Sequence, residues 1–144
     1  MNEFENLKLE KQMCFPLYAC SREVIKRYKP FLDEIDLTYT QYIVMMVLWD
    51  RKQINVKELG NNLFLDSGTL SPVLKKLESK EYIKRRRNNE DERNLNLSIT
   101  KKGEELKQKA KDIPEKISNC INITEKEAIE LYKTLYKILS GFKD

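Results

Sequence analysis

The chain has 144 residues, a length that suits one ordinary domain. Charged residues make up 35% of it and hydrophobic residues 40%, with a net charge of +4, which fits a helical, well-solvated protein better than a sheet sandwich. The absence of histidine excludes Ser-His-Asp and Cys-His catalysis, and the four glycines form no phosphate-binding loop. We therefore predict that the protein is not an enzyme and has neither a cofactor nor a metal site.

The three cysteines, Cys14, Cys20 and Cys120, include no CxxC pair, which argues against a metal knuckle or a secreted disulfide framework. The longest apolar run, Ile43–Trp49, is too short to span a membrane. The acidic, polar start lacks the features of a secretory signal. We therefore predict a cytoplasmic protein without a membrane partner.

The first elements predicted along the chain are two helices. An amphipathic pattern predicts a helix from about Leu7 to Leu32. Thr38 and Gln41 then have the spacing of a capping box, which begins a second helix that runs to about Asp50. Because this second helix is apolar almost all round, we expect it at the centre of the core.

Two short helices follow. Asn55 begins a helix over residues 56–62, and Asp66 or Ser67 caps another that ends near Lys80. The second of these has a polar and basic outer face, and its apolar residues recur at helical spacing: Leu70, Val73, Leu74 and Leu77. Two short helices joined by a tight turn are typical of a helix-turn-helix.

The spacing of the apolar residues then changes from the period of a helix to that of a strand. Residues 83–87 and 95–99 flank a polar turn over residues 88–93, and Leu95, Leu97 and Ile99 alternate with period two. This pattern predicts a β-hairpin, the wing. The predicted fold class is therefore mainly α with a small β-hairpin wing, a winged helix-turn-helix.

The C-terminal part is predicted to be helical. Thr100 caps one helix, Pro114 should interrupt it, and Thr124 with Glu127 begins the last. That last helix carries an apolar stripe, which either packs on its own chain or forms a dimer interface: Ala128, Leu131, Tyr132, Leu135, Ile138, Leu139 and Phe142. The amount of apolar surface favours the dimer. We predict a dimerisation region from residues 1–36 and 101–144, and a DNA-binding region over residues 37–100.

Seven basic residues against two acidic ones lie between Lys75 and Arg87. Such a run alone is usually a solvated face, but its place between a helix-turn-helix and a hairpin favours DNA binding. Short side chains at the helix start suit base edges, basic ones suit phosphates, and Arg93 suits a narrow minor groove. The predicted DNA-contacting residues are Ser67, Gly68, Thr69, Ser71, Lys75, Lys76, Arg86, Arg93 and Asp91, the last holding the Arg93 guanidinium.

Four segments resemble the MarR family of transcriptional regulators and, within it, the organic hydroperoxide resistance regulator (OhrR) branch. They are residues 13–19 (MCFPLYA), 37–42 (LTYTQY), 65–72 (LDSGTLSP) and 91–93 (DER). The first and third are specific to the branch, whereas the fourth is shared by the wider family. The match extends over nearly the whole chain.

The resemblance implies a homodimeric repressor that binds a palindromic operator in double-stranded DNA and releases it when organic hydroperoxide oxidises one cysteine. The family's reactive cysteine matches Cys14. Two tyrosines that hydrogen-bond its sulfur from the other subunit match Tyr28 and Tyr39. Without its flanking motif, Cys14 would be interpreted as a small packing residue, as most cysteines in helices are. Apolar neighbours such as Phe15 and Leu17 would favour an organic peroxide over hydrogen peroxide.

Pro16 and the other two cysteines depart from the family pattern. Pro16 is expected in mid-helix, where it would kink the helix two residues after Cys14. Cys20 lies six residues from Cys14, a rise of about 9 Å that is too long for a disulfide, so we expect it to be packing. Cys120 is either a core cysteine or a resolving cysteine that would form a disulfide with Cys14 of the other subunit.

The sequence leaves two other functions open. The first is a MarR-type repressor that responds to a small phenolic or other ligand without thiol chemistry. The second is a thiol peroxidase, which the lack of histidine and of a recycling CxxC pair disfavours.

Overall fold

The computed structural model describes residues 2–88 and 91–142, and at residues 88 and 91–94 it describes the backbone only. The described chain is mainly helical with a small antiparallel sheet. Its elements are α1 (Cys14–Asp33), α2 (Tyr39–Arg51), β1 (Gln53–Asn55), α3 (Val56–Leu63), α4 (Ser67–Ser79), β2 (Ile83–Asn88), β3 (Asp91–Ile99), α5 (Lys101–Ala110), α6 (Ile113–Ser118) and α7 (Glu125–Ser140). This confirms the predicted fold class.

Side-chain caps determine where most helices begin. Thr38 and Gln41 form the predicted capping box, in which each side chain accepts the other residue's backbone N–H. Asp66, rather than Ser67, caps α4 by accepting the Thr69 N–H at 2.7 Å. The remaining side-chain caps are those of Asn55 on α3, Thr100 on α5 and Thr124 on α7. These caps satisfy N–H groups that have no acceptor inside the helix.

The sheet has three strands in the order β1-β3-β2, all antiparallel. Strand β1 is an addition to the predicted hairpin, and its Ile54 lies opposite Leu97 in β3. The turn of the hairpin is shorter than predicted, because β2 continues to Asn88 and β3 begins at Asp91. The wing is therefore part of a sheet whose base is joined to the segment between α2 and α3.

The core is formed where α2 meets the helix-turn-helix and the sheet. Met45 and Leu48 of α2 are completely buried, as are Leu77 of α4 and Leu97 of β3. Trp49, the single tryptophan, is also buried, and its Nε1–H donates to the Gly103 carbonyl oxygen at 2.9 Å. The predicted central position of α2 is thus confirmed.

The start of α1 differs from the prediction. The helix begins at Cys14 rather than Leu7, and 3₁₀ turns at Glu5–Leu7 and Leu9–Lys11 precede it. Pro16 is therefore the third residue of α1, where a backbone N–H would have no intrahelical acceptor, and the expected kink is wrong. The mid-helix proline of α1 is Pro30.

The chain divides into two compact units, Met1–Ile113 and Pro114–Asp144. A break between α5 and α6 confirms the interruption predicted near Pro114. Helix α7 contains no buried residue, and its exposed apolar side chains include Ile129, Leu131 and Tyr132. The predicted division into dimerisation and DNA-binding regions stays a prediction. Among the described residues, no helix is long and apolar enough to cross a membrane.

Candidate nucleic-acid interface and sensor cysteine

Helices α3 and α4 are joined by a tight turn over residues 64–66. Phe64 ends α3 in the left-handed conformation, with φ 56° and ψ 40°, and the Leu65 N–H donates to the Gly60 carbonyl at 3.0 Å. Gly60 permits this approach, since a Cβ there would lie 2.7 Å from the Leu65 carbonyl oxygen. The hydrogen bond from the Thr69 backbone holds the pKa of the capping Asp66 below its usual value. The turn and the cap together place α4 as the second helix of a helix-turn-helix.

The outer face of α4 carries the predicted DNA-contacting residues. The inner face is closed by Leu70, Leu74 and Leu77, which are buried. The outer residues are all exposed: Ser67, Gly68, Thr69, Ser71, Lys75 and Lys76. Short polar groups thus occupy the first turns and lysines the later ones, an order that suits base contacts near the N-terminus and phosphate contacts farther along.

The basic run does not form one continuous exposed surface. Arg86 in β2 is exposed, as predicted. Arg85 instead bends back to Glu78 of α4, with its Nη2 2.8 Å from the carboxylate and its backbone N–H also donating to it at 3.3 Å. The hydrogen bonds from Arg85 lower the pKa of Glu78, and the same pair raises that of Arg85. The pair joins α4 to the wing, so this arginine serves the fold of the interface rather than its exposed face.

Asp91 and Arg93 begin strand β3 instead of lying in the turn. Their side chains lie outside the described part of the chain. The predicted contact between them, and the predicted insertion of Arg93 into a minor groove, therefore stay predictions.

Cys14 is the first residue of α1 and is exposed. The apolar side chains of Met13, Phe15 and Leu17 are exposed around it. Because Tyr28 lies 14 residues farther along the same helix, it is about 21 Å from Cys14 along the axis. Within one chain, the cysteine and the tyrosines predicted to support it are therefore apart.

The tyrosines themselves are gathered where α1 meets α2. The ring centroids of Tyr28 and Tyr39 are 4.9 Å apart, and Tyr42 lies 5.9 Å from Tyr28 and 6.3 Å from Tyr39. We refer to these three residues as the tyrosine cluster. Burial, with the neighbouring phenols, raises the pKa of Tyr28 to about 12, and burial also raises the pKa of Tyr39 and Tyr42. The phenols thus remain protonated donors. Tyr42 was not predicted, although its spacing of three from Tyr39 places both on one helix face.

The raised pKa of Tyr28 predicts a pH dependence of stability. The folded state favours the neutral phenol, so its contribution is complete below the usual pKa of 10.0 and is lost as pH rises from 10.0 towards about 12. The free energy of unfolding, measured with urea, should decrease over this window. The free energy of unfolding of Tyr28→Phe should decrease less over the same window. In an absorbance titration of the folded protein, the phenolate signal that this variant lacks should be the part that appears towards about pH 12. If the variant instead lacks phenolate absorbance that appears near pH 10.0, the burial argument is contradicted.

The other two cysteines are also exposed. Cys20 lies on α1 with Cys14, and its exposure contradicts the expected packing role within one chain. Cys120 follows α6 and donates from Sγ to the Lys116 carbonyl oxygen at 3.3 Å. Its exposure argues against the core alternative within one chain and leaves its thiol accessible.

Known regulators resemble the chain over nearly its whole length. A family described as transcriptional regulator SarA/Rot matches residues 26–110. The organic hydroperoxide resistance transcriptional regulator of Bacillus subtilis (strain 168) is 45% identical over 138 residues, covering 96% of this chain and 94% of that protein. The HTH-type transcriptional regulator SarZ of Staphylococcus aureus (strain USA300) is 47% identical over 136 residues, covering 94% and 92%.

The fold is similar to that of AbfR of Staphylococcus epidermidis. The structure of reduced AbfR bound to DNA matches with a TM-score of 0.74 at 32% identity, covering 95% of this chain and 96% of that one. The structure of disulfide-formed AbfR matches with a TM-score of 0.65 at 33% identity, covering 94% and 95%.

These relatives are transcriptional regulators rather than enzymes, which confirms that prediction. The helix-turn-helix and the wing belong to a fold that matches the DNA-bound relative over 95% of this chain. The chain belongs to the MarR family of winged-helix, DNA-binding transcriptional regulators, in the branch of the organic hydroperoxide resistance regulators.

Proposed function

We propose that this regulator is a homodimeric repressor that leaves a palindromic operator when an organic hydroperoxide oxidises Cys14. The observation that carries the proposal is the exposed thiol at the first residue of α1, surrounded by exposed apolar side chains. The relative from Bacillus subtilis is described as an organic hydroperoxide resistance regulator, and the AbfR structures include reduced and disulfide forms.

The chemistry at Cys14 is a two-electron oxidation. The thiolate sulfur attacks one oxygen of the peroxide, the O–O bond breaks, and the alkoxide leaves and takes a proton from water. The cysteine becomes a sulfenic acid, and the peroxide is reduced to an alcohol. The apolar side chains of Phe15 and Leu17 offer contacts that the alkyl group of an organic peroxide can use and hydrogen peroxide cannot.

A second subunit is needed to complete this site. The tyrosine cluster lies about 21 Å from Cys14 along α1, so Tyr28 and Tyr39 can donate hydrogen bonds to the sulfur only from another copy of the chain. Exposed apolar residues offer the surface for such a dimer. They lie around Cys14 and along α7, where Tyr132 is 64% exposed.

The proposed DNA contacts lie on the outer face of α4 and on the wing. Ser67, Thr69 and Ser71 would contact bases, with Gly68 allowing close approach of the backbone. Lys75, Lys76 and Arg86 would neutralise phosphates. Asp91 and Arg93 are proposed for the wing on their sequence alone.

The fate of the sulfenic acid is a further part of the proposal. The accessible thiol of Cys120 makes it the candidate for a disulfide with Cys14 of the other subunit. Peptide mass spectrometry after treatment with cumene hydroperoxide should detect a Cys14–Cys120 crosslink. Its absence under non-reducing conditions would leave Cys120 without a resolving role.

Cys14→Ser is expected to bind operator DNA as well as the wild type does and to stay bound in the presence of cumene hydroperoxide. The reason is that serine keeps the size of the side chain but not the nucleophilic sulfur. The measurement is a titration of operator binding, by fluorescence anisotropy, against peroxide. Cys20→Ser is the matched control on the same helix and should respond like the wild type. Peroxide-driven release of Cys14→Ser would end the proposal.

A second candidate function is release by a small aromatic ligand. A cavity of about 280 Å³ beside the tyrosine cluster is lined by apolar side chains such as Ile25 and Leu37 and by Lys26, Lys29 and Asp33, the last two of which form an ion pair at 3.1 Å. An apolar cavity with a few polar groups suits a small aromatic ligand. If salicylate releases the operator while all three thiols remain reduced, this function replaces the peroxide proposal.

A further inference from the structure

The residue that directly follows α4, the recognition helix of the helix-turn-helix, turns its side chain away from the exposed basic face. Lys80 follows α4, and its side chain reaches the loop between α1 and α2. Its Nζ donates to the Asp36 carbonyl oxygen at 2.5 Å and to Gln41 Oε1 at 3.4 Å, and the Asp36 carboxylate is also 3.4 Å away. The Lys80 side chain is only 25% exposed. It is thus withdrawn from the basic surface to which the sequence assigned it.

The acceptors of Lys80 lie in the loop before α2 and in the first turn of α2. Gln41 is buried, and the same Oε1 that accepts from Lys80 also accepts the Thr38 backbone N–H in the capping box. Asp36 has a φ of 53°, a left-handed conformation that is uncommon for a residue other than glycine. Through Gln41, a change at the first turn of α2 alters one acceptor of the Lys80 ammonium directly.

The tyrosine cluster contacts that same first turn. Tyr39 is the first residue of α2, directly after Thr38, and its ring packs on Tyr28 of α1. The contacts form a short series: the Tyr39 ring, the Thr38–Gln41 capping box, and the Lys80 ammonium at the end of α4. The Lys80 carbonyl in turn accepts from Lys102 Nζ of α5 at 3.0 Å, which holds the end of α4 from a second direction.

We propose that Lys80 is the positioning residue that couples the tyrosine cluster to the recognition helix. When the tyrosines change their hydrogen bonding, the first turn of α2 moves, and Lys80 carries this movement to α4. The redox part of this inference rests on the proposed function. A lysine that only stabilised the fold would affect both oxidation states equally.

The first test compares operator affinity before and after oxidation. In Lys80→Met the aliphatic stem is kept and the ammonium is lost, so the ratio of oxidised to reduced Kd should be smaller than in the wild type by about three- to thirtyfold. Lys80→Arg should restore part of the ratio. Lys76→Met, one turn earlier on the exposed face, should weaken binding in both states by the same factor and leave the ratio unchanged.

The second test needs no peroxide. Tyr39→Leu removes the phenol and disturbs the ring packing, and it should speed amide hydrogen exchange at Glu81 and Tyr82, whose N–H groups donate to Glu78 and Leu77 of α4. In the Lys80→Met background, the same replacement should add little. This comparison is a double-mutant cycle between Tyr39 and Lys80.

The outcomes separate the two proposals. If the wild type responds to peroxide and Lys80→Met keeps the full ratio, the coupling role is overturned and the sensor function stands. If the wild type does not respond, the sensor function fails, and the exchange experiment alone decides the role of Lys80. Equal effects of Tyr39→Leu in both backgrounds would overturn the coupling role, whereas a smaller effect in Lys80→Met supports it.

Discussion

Gly103→Ala is expected to lower the free energy of unfolding by about 3 kcal/mol. A Cβ at Gly103 would lie 2.4 Å from the Tyr82 carbonyl oxygen and 2.8 Å from Ile99 Cγ1. Neither the carbonyl nor the helix can easily move. The Tyr82 carbonyl accepts the Thr100 N–H at 3.1 Å, and the Gly103 carbonyl accepts from Trp49 at 2.9 Å. Urea denaturation followed by circular dichroism measures the loss.

Gly68→Ala is the matched control for this prediction. A Cβ at Gly68 would meet only the Asp66 Oδ1 atom, at 3.5 Å, which is ordinary contact. Because alanine favours a helix more than glycine does, stability should stay the same or rise slightly. Operator affinity should nevertheless fall if the α4 backbone approaches DNA closely at this residue. Equal destabilisation by both replacements would contradict the packing argument.

Replacing Lys75 and Lys76 together by methionine is expected to weaken operator binding at least about tenfold. Both side chains are exposed on the outer face of α4, and each is proposed to neutralise a phosphate. The slope of log affinity against log salt concentration should decrease by about one for each lysine lost per bound subunit. Anisotropy titrations at several salt concentrations measure both quantities.

The control for charge alone is Lys107→Met with Lys109→Met. These lysines are exposed on α5. Replacing them removes the same net charge as the first double variant, but from a different surface. They should leave the salt slope unchanged. An equal decrease in slope for both double variants would show that binding depends on net charge and not on contacts made by α4.

Local chemistry explains most of what the sequence predicted correctly. The caps at Thr38, Asn55 and Thr124 need only residues within a few positions of each other, so their spacing identified the helix starts. The inward stripe of α4 follows from helical periodicity in the same way. Residues 5–7 and 9–11 form 3₁₀ turns, and apolar periodicity gave no sign that the α-helix begins only at Cys14.

Contacts between residues that are far apart in the sequence could not be predicted in this way. Strand β1 has three residues and exists through its pairing with β3, which joins Ile54 to Leu97. Whether a lysine or arginine faces solvent also depends on such partners. Arg85 and Lys80 belong to one basic run in the sequence, yet each turns to an acceptor on another element. The proposed contact of Cys14 with tyrosines of another subunit rests on family resemblance, because no spacing rule predicts contacts between two copies of a chain.

Strand β1 also determines how the wing can act. The Ile99 N–H donates to the Lys52 carbonyl at 2.9 Å, and residues 96–98 of β3 are paired with both β1 and β2, so the base of the hairpin cannot tilt on its own without breaking ladder hydrogen bonds. Glu78 and Arg85 join α4 to the same sheet. These contacts fix the distance between α4 and the base of the wing within the chain. We expect this distance to select operators by the width and curvature of the duplex, in addition to the identity of their bases.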